Sequence, residues 1–159
     1  FFGVDLIDRL THAEHPDGHV FDLTSRYLST LDDLASRTRT DRMKMLSYAF
    51  AFKLFAHSGY TLEVSSCVEC AETLIPEGNV ISISAGGVVC ARCLHSEKTT
   101  VSISRRDRRG TYPIGVGTIK LLRLFFAHSF QAIVKVEAPE RDIRALSIIC
   151  RDTVGWFAS

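Results

Sequence analysis

Four of the five cysteines form two identical pairs, and they carry the clearest chemistry in this sequence. Cys67 and Cys70 make one C-x2-C pair, Cys90 and Cys93 make the other, and 19 residues separate the pairs. This spacing is typical of a zinc site in which four thiolates surround the metal at about 2.3 Å. Because four thiolates leave no position for water or substrate, we predict one structural zinc per chain.

The cysteine pattern has two alternatives to structural zinc. The pairs could be buried thiols without metal, although chance seldom produces two pairs at this spacing. His12 and Glu14, upstream of the first pair, resemble the H-x-E element of zinc deaminases. That signature places proline before the cysteine pair, where this chain has Ser66, and three ligands would leave the second pair unexplained. The fifth cysteine, Cys150, lies in an apolar helical stripe and is predicted to be a core side chain.

The positive charge is concentrated in one part of a nearly neutral chain. The 159 residues include 19 basic and 18 acidic side chains, but residues 98–123 hold seven basic and one acidic. Basic clusters attract polyanions through short-range, screened electrostatics. We therefore expect this segment either to contact nucleic acid phosphates or to form a solvated loop. The candidate nucleic-acid-binding residues are Arg105, Arg106, Arg108 and Arg109.

Composition and motifs exclude several classes of protein. Hydrophobic residues make up 46% of the chain, enough for one sizeable core. No apolar run approaches the roughly 20 residues of a membrane span. We also find no phosphate-binding loop and no nucleophile motif, so the chain is predicted not to be an enzyme. It lacks an initiator methionine and opens inside a helical pattern, as expected of a fragment of a longer protein.

The hydrophobic pattern predicts helices that flank a small β segment. Helical spacing covers residues 20–34, 41–56, 114–126 and a last helix from Pro139, and the helix over 41–56 is apolar around most of its circumference. The stripe of the first of these includes Phe21 and Leu28. Alternating residues at 60–64 and 80–84 predict short strands. The predicted fold is mainly α, a helical bundle (1–58 and 112–159) with an inserted zinc-binding β module (59–111).

Several segments resemble the C-terminal region of the RecO recombination mediators of bacterial DNA repair. They are VDLIDRL, HVFDLTSRYLSTL, FAHSGYTLEVSSCVEC and AGGVVCARC, in the family's order. Gly59-Tyr60 before the first cysteine pair and Gly86-Gly87 before the second are more specific than the cysteines. Members normally begin with an OB-fold domain, to which nothing here corresponds, so it is expected to be truncated or to lie outside this sequence. The run 105–110 is not recognised as a family motif.

The resemblance implies a non-catalytic DNA repair and recombination mediator. It implies binding to RecR and to the acidic tail of single-stranded DNA-binding protein, and assistance to recombinase loading or strand annealing. Single-stranded DNA binding is expected to be weak without the OB-fold domain. The implied location is the bacterial cytoplasm, at the nucleoid. This agrees with the cysteine pattern, which favours a metal site in a reducing compartment over disulfides. The alternatives are a zinc-dependent hydrolase or deaminase and a generic zinc-ribbon interaction domain.

The acidic tail ends in an apolar residue with a free carboxylate, so its receptor needs an apolar pocket rimmed by cations. Two predicted helices satisfy this requirement. The helix over 114–126 offers Lys120 and Arg123, and the last helix offers Arg144 and Arg151. We predict that these cations bind the partner; the alternative is that they only solvate the surface.

Overall fold

A computed structural model describes residues 17–36, 40–96 and 110–157, together with Leu6 and Asp8. The prediction of a mainly helical protein with a small β segment and a four-cysteine cluster is confirmed. None of the helices described is long and apolar enough to cross a membrane. In chain order the elements are α1 (Gly18–Ala35), α2 (Thr40–His57), β1 (Val80–Ser82), β2 (Gly87–Val89), α3 (Ala91–Leu94), β3 (Thr111–Pro113), α4 (Val116–Ala127), α5 (Phe130–Ile133) and α6 (Glu140–Phe157).

Helix α2 is the centre of the bundle, as its apolar circumference predicted. It contacts α1, α4, α5 and α6. Aromatic rings make several of these contacts: Phe50 stacks on Tyr27 of α1 at 4.4 Å between ring centroids, and Phe52 lies 6.4 Å from Phe125 of α4. Its buried side chains are Met45, Leu46, Ala49, Phe50, Ala51, Phe52, Leu54 and Phe55.

Asp17 caps the start of α1 and ties it to the end of α2. One carboxylate oxygen accepts the backbone N–H groups of His19 and Val20, at 2.9 and 3.3 Å. The other lies 2.5 Å from Nε2 of His57, the last residue of α2. The hydrogen bond with His57, followed by those from the two backbone groups, lowers the pKa of Asp17.

The predicted apolar stripe of α1 was wrong at two positions. Phe21 is 72% exposed and Leu28 is 52% exposed, whereas the buried hydrophobic residues are Val20, Tyr27 and Leu34. These three residues are spaced by seven and lie on one face of the helix. Phe21 and Leu28 each follow a buried residue, and the step of about 100° per residue turns them away from α2.

The three strands form one antiparallel sheet in the order β2-β1-β3. The strand predicted over residues 60–64 is absent from the described part of the chain. Leu62 and Val64 are buried, as alternation implies, but only Glu63 forms a bridge, to Gly87. The N–H of Glu63 donates to Gly86 and its carbonyl accepts from Val88, so these two bonds replace a longer ladder.

The β segment packs directly on the helical core. Leu62, Val64, Ile81 and Val88 belong to the same hydrophobic cluster as the buried residues of α2 and α4. A second, smaller cluster surrounds the cysteines. Because one core runs through both parts, the boundaries proposed at 58/59 and 111/112 separate units that share packed side chains.

Candidate metal centre and a neighbouring groove

A tight turn presents the first cysteine pair. The N–H of Ala71 donates to the carbonyl of Cys67 at 2.8 Å, and the N–H of Cys67 donates to Glu72 at 2.9 Å. Ala71 adopts a left-handed conformation with φ of 58°, which non-glycine residues seldom adopt. The turn therefore folds the chain back immediately after Cys70.

The second pair is placed by the start of a short helix. Cys90 precedes α3 as its N-cap residue, and Cys93 lies within the helix. The carbonyl of Cys90 accepts the N–H of Leu94 at 3.0 Å. The N–H of Cys90 in turn donates to the Sγ atom of Cys67 at 3.3 Å, which joins the two pairs.

The two glycines before the second pair meet distinct steric demands. Gly86 has φ of +78°, in the region that favours glycine. A Cβ atom on Gly87 would lie 2.8 Å from the backbone nitrogen of Glu63 and closer still to its carbonyl oxygen. The hairpin between β1 and β2 can therefore lie against residue 63, which brings Cys90 towards Cys67.

The four sulfur atoms have the spacing that a tetrahedral zinc site requires. All four Sγ atoms lie within 4.8 Å of one another, and those of Cys70 and Cys90 are 3.9 Å apart. Four sulfurs at 2.3 Å from a zinc ion would be about 3.8 Å apart. The cysteines form no disulfide, Cys67 and Cys90 are buried, and Cys70 and Cys93 are partly exposed. The donor set and its dimensions fit a metal ion, and coordination by all four thiolates would leave no open position.

The thiols differ in how easily they ionise. Burial opposes ionisation of Cys67, but the N–H groups of Cys90, Cys70 and Glu69 donate to its sulfur, and its pKa is lowered to about 7. Burial, followed by contacts with the other three cysteines, raises the pKa of Cys93 to about 12. Without a bound cation, the negative charge of the Cys67 thiolate thus opposes ionisation of Cys93. A dication would reverse this preference, because metal coordination deprotonates thiols.

An apolar groove of about 770 Å3 lies between α1, α2 and α6, and none of the four clustered cysteines lines it. Cys150 is on its wall, where burial raises the pKa of the thiol to about 12, so it stays protonated. Lys44 of α2 and Arg151 of α6 are the cationic residues of the lining, and both side chains are more than half exposed. The other lining residues are Tyr27, Leu31, Thr40, Met43, Ser47, Tyr48, Ser147 and Val154.

The four predicted partner-binding cations lie in different settings. Arg151 borders the groove, whereas Arg144 pairs with Glu140 one turn earlier at 2.7 Å. Lys120 is exposed beside a smaller apolar pocket of about 290 Å3. Arg123 donates from Nε to the carbonyl of Val64 at 2.8 Å, which joins α4 to the segment leading to the first cysteine pair. The structure thus places only one of the four on the large groove.

The predicted nucleic-acid-binding residues Arg105, Arg106, Arg108 and Arg109 lie outside the described residues.

Comparison with known proteins bears directly on these features. The sequence model of the family described as "Recombination protein O C terminal" matches residues 1–156. The chain belongs to the RecO C-terminal family. The resemblance to the RecO family, predicted from four segments of the sequence, is therefore confirmed.

Individual relatives agree with this family. "DNA repair protein RecO" of Dehalococcoides mccartyi strain CBDB1 is 27% identical over 97% of this chain and 54% of its own length. The protein of the same name from Halalkalibacterium halodurans is 26% identical over 81% of this chain and 43% of its own length. That of Acetivibrio thermocellus is 31% identical over 62% and 42%. The chain thus spans about half the length of the curated relatives it matches. No solved structure matches it.

Sequence reasoning missed Lys44, which shares the groove with Arg151. Both residues follow the polar spacing of their own helices, but they are more than one hundred positions apart in the chain. The sequence signal for Lys44 was the polar start of α2, Asp41-Arg42-Met43-Lys44. A helix buried on all sides would not begin with three charged residues.

Proposed function

We propose that this chain is the C-terminal part of a non-catalytic mediator of DNA repair and homologous recombination. In this role it holds partner proteins and does not transform a substrate. Membership of the RecO family supports the repair role, and a closed four-sulfur site supports the absence of metal catalysis. We place the protein in the bacterial cytoplasm, at the nucleoid, where its proposed partners and DNA would be.

The metal of the cysteine cluster is proposed to be one zinc ion, held by Cys67, Cys70, Cys90 and Cys93. Bound there, zinc would supply a structural cross-link between the turn after Ser66 and the start of α3. The four-thiolate donor set favours a soft or borderline cation over magnesium or calcium. This cross-link fixes the small hydrophobic cluster that contains Val80 and Val89.

The groove between α1, α2 and α6 is the proposed receptor for the acidic tail of single-stranded DNA-binding protein. The observation that carries this assignment is the combination of an apolar lining with Lys44 and Arg151. An apolar terminal side chain would enter the groove, and its carboxylate and the preceding acidic groups would meet the two cations. The volume lies within the range typical of small-ligand pockets, about 300–1,000 Å3.

Charge reversal on α6 tests the groove. Arg151→Glu should weaken binding of a labelled tail peptide by about 1–3 kcal/mol, because it replaces a charge-assisted hydrogen bond with repulsion. Arg141→Glu is the matched control: it removes the same charge from the same helix, ten residues or about 15 Å away, where the side chain is 82% exposed. Fluorescence anisotropy titrations would measure both. Equal losses in the two variants would point to general charge attraction and would exclude the groove as the receptor.

The four arginines of 105–109 are proposed to contact single-stranded DNA through its phosphates. Replacing all four by glutamate should weaken DNA binding and reduce the slope of log affinity against log salt by up to about three units. The salt dependence of binding to a labelled oligonucleotide measures this. An unchanged slope would show that the four arginines do not contact DNA and belong to a solvated loop.

Binding to RecR and assistance to recombinase loading or strand annealing complete the proposal. These activities are proposed from membership of the RecO family alone. Co-purification of RecR with the zinc-loaded chain is the expected result. Failure of RecR to associate with this chain, when it does associate with a full-length RecO relative, would place that contact outside residues 1–159.

A further inference from the structure

Two hydrogen bonds connect the β sheet to Arg151, one of the two cationic residues of the groove. The hydroxyl of Tyr112, on β3, donates to Oδ2 of Asp152 on α6. The other carboxylate oxygen, Oδ1, accepts from Nε of Arg151 at 3.1 Å. Arg151 borders the apolar groove, so the chain of contacts runs from the sheet through one carboxylate to the groove.

The contact between Arg151 and Asp152 is not one that helix geometry supplies. Neighbouring residues on a helix point in directions about 100° apart and do not face each other. Here the Asp152 side chain is only 25% exposed and is held from its other side by Tyr112. Its orientation is therefore fixed by the sheet, and the 73% exposed Arg151 side chain meets it.

The same arrangement leaves the guanidinium able to bind a carboxylate. Asp152 accepts from Nε, and no contact within the described part of the chain engages the two terminal nitrogens, the paired donors that recognise carboxylates bidentately. Without the Tyr112 hydroxyl, Oδ2 would lose its donor and would compete for those terminal nitrogens. The local ion pair would then tighten at the expense of any bound anion.

We infer that Tyr112 and Asp152 are positioning residues, which hold Arg151 ready for a carboxylate ligand in the groove and make that binding depend on the sheet. The inference rests on the groove being the receptor proposed above. Tyr112 is paired with Ile81 of β1, and β1 pairs with β2, which leads into Cys90. The sheet that leads into the cysteine cluster thus contacts the neighbour of Arg151 through the Tyr112 hydroxyl.

The test removes that hydroxyl alone. Tyr112→Phe in the zinc-loaded protein should weaken binding of an acidic peptide with a free terminal carboxylate by about three- to tenfold, the range that corresponds to the typical net contribution of one hydrogen bond. Tyr60→Phe is the control. Its hydroxyl donates to the carbonyl of Ile83 at 2.5 Å, within the β segment, and Tyr60 is not part of the groove lining. It should change affinity less than twofold.

A double-mutant cycle separates positioning from general destabilisation. If Tyr112 acts through Arg151, adding Tyr112→Phe to Arg151→Gln should produce no further loss of peptide binding. Zinc content is measured in every variant and should stay at the parent value. A tenfold loss from Tyr112→Phe that persists in the Arg151→Gln background would overturn the inference, because the effect would then bypass the guanidinium.

The Arg151 Nε–H signal in NMR spectra supplies a readout that needs no peptide. It should shift in Tyr112→Phe, since its acceptor turns, and should stay in place in Tyr60→Phe. An unmoved signal in Tyr112→Phe would show that Tyr112 does not position Arg151. Failure of the parent protein to bind the peptide, with the signal responding as expected, would instead refute the proposed ligand.

Discussion

Replacing Cys90 by serine is expected to abolish stoichiometric zinc binding and to unfold the cysteine-bearing segment. Structural zinc contributes roughly 10–16 kcal/mol of apparent binding free energy in zinc-finger peptides, so loss of one thiolate removes much of what holds this small cluster together. Cys90 is buried and also donates its N–H to the sulfur of Cys67, so a displaced residue 90 disturbs both pairs. Metal analysis of the purified variant and hydrogen exchange over residues 60–96 would measure the two effects.

The damage should extend into the helical bundle, because Ile81 and Val88 of the sheet are completely buried in the core they share with α2. Thermal unfolding of Cys90→Ser should therefore begin at a lower temperature than that of the parent protein. Cys150→Ala is the matched control, since it removes the buried cysteine that lies outside the cluster and should retain one zinc per chain. Full zinc content in Cys90→Ser, with parental exchange rates, would contradict the assigned ligand set.

Truncation of Phe52 should produce a large loss of stability in the helical core. The ring is 1% exposed and lies 6.1–6.4 Å from the rings of Phe55, Phe125 and Phe126. Phe52→Ala removes the buried ring and leaves a cavity, which typically costs about 3–5 kcal/mol of unfolding free energy. Urea unfolding of the zinc-loaded protein, followed by circular dichroism, would measure the change.

Phe21→Ala provides the comparison for Phe52, because it is the same substitution on a ring that is 72% exposed. We expect it to change the free energy of unfolding by no more than about 0.5 kcal/mol. Comparable losses in the two variants would mean that α1 is turned differently from its described orientation, with Phe21 in the core.

Local patterns predicted the parts of this molecule that depend on local spacing. The helical periodicity of α2, α4 and α6 is visible in windows of fewer than twenty residues, and the two C-x2-C pairs lie within 27. The exposure of Phe21 could not be predicted in this way, since an apolar residue at the edge of a stripe is buried only if a neighbouring element covers it. Residues 60–64 alternate correctly, but too few strand partners reach them to form a ladder.

Long-range placement decided the candidate functional surfaces. Arg123 was predicted as a partner-binding residue from its charge on an apolar helix, yet its guanidinium donates to the carbonyl of Val64, about sixty positions earlier. The placement of Lys44 and Arg151 on one groove likewise depends on how separate elements pack. So does the hydrogen bond between Tyr112 and Asp152. Periodicity within a helix or strand does not report contacts between residues far apart in the chain. The groove could therefore not be predicted from the sequence.

The cysteine cluster is expected to be a closed, structural zinc site, with no coordination position left for water or substrate. X-ray absorption spectroscopy at the zinc edge tests it directly on protein purified without chelator. We predict four sulfur neighbours at about 2.3 Å and no oxygen or nitrogen in the coordination sphere. A zinc ion with three or fewer sulfurs and a water-derived oxygen, or protein that contains no zinc, would contradict the claim.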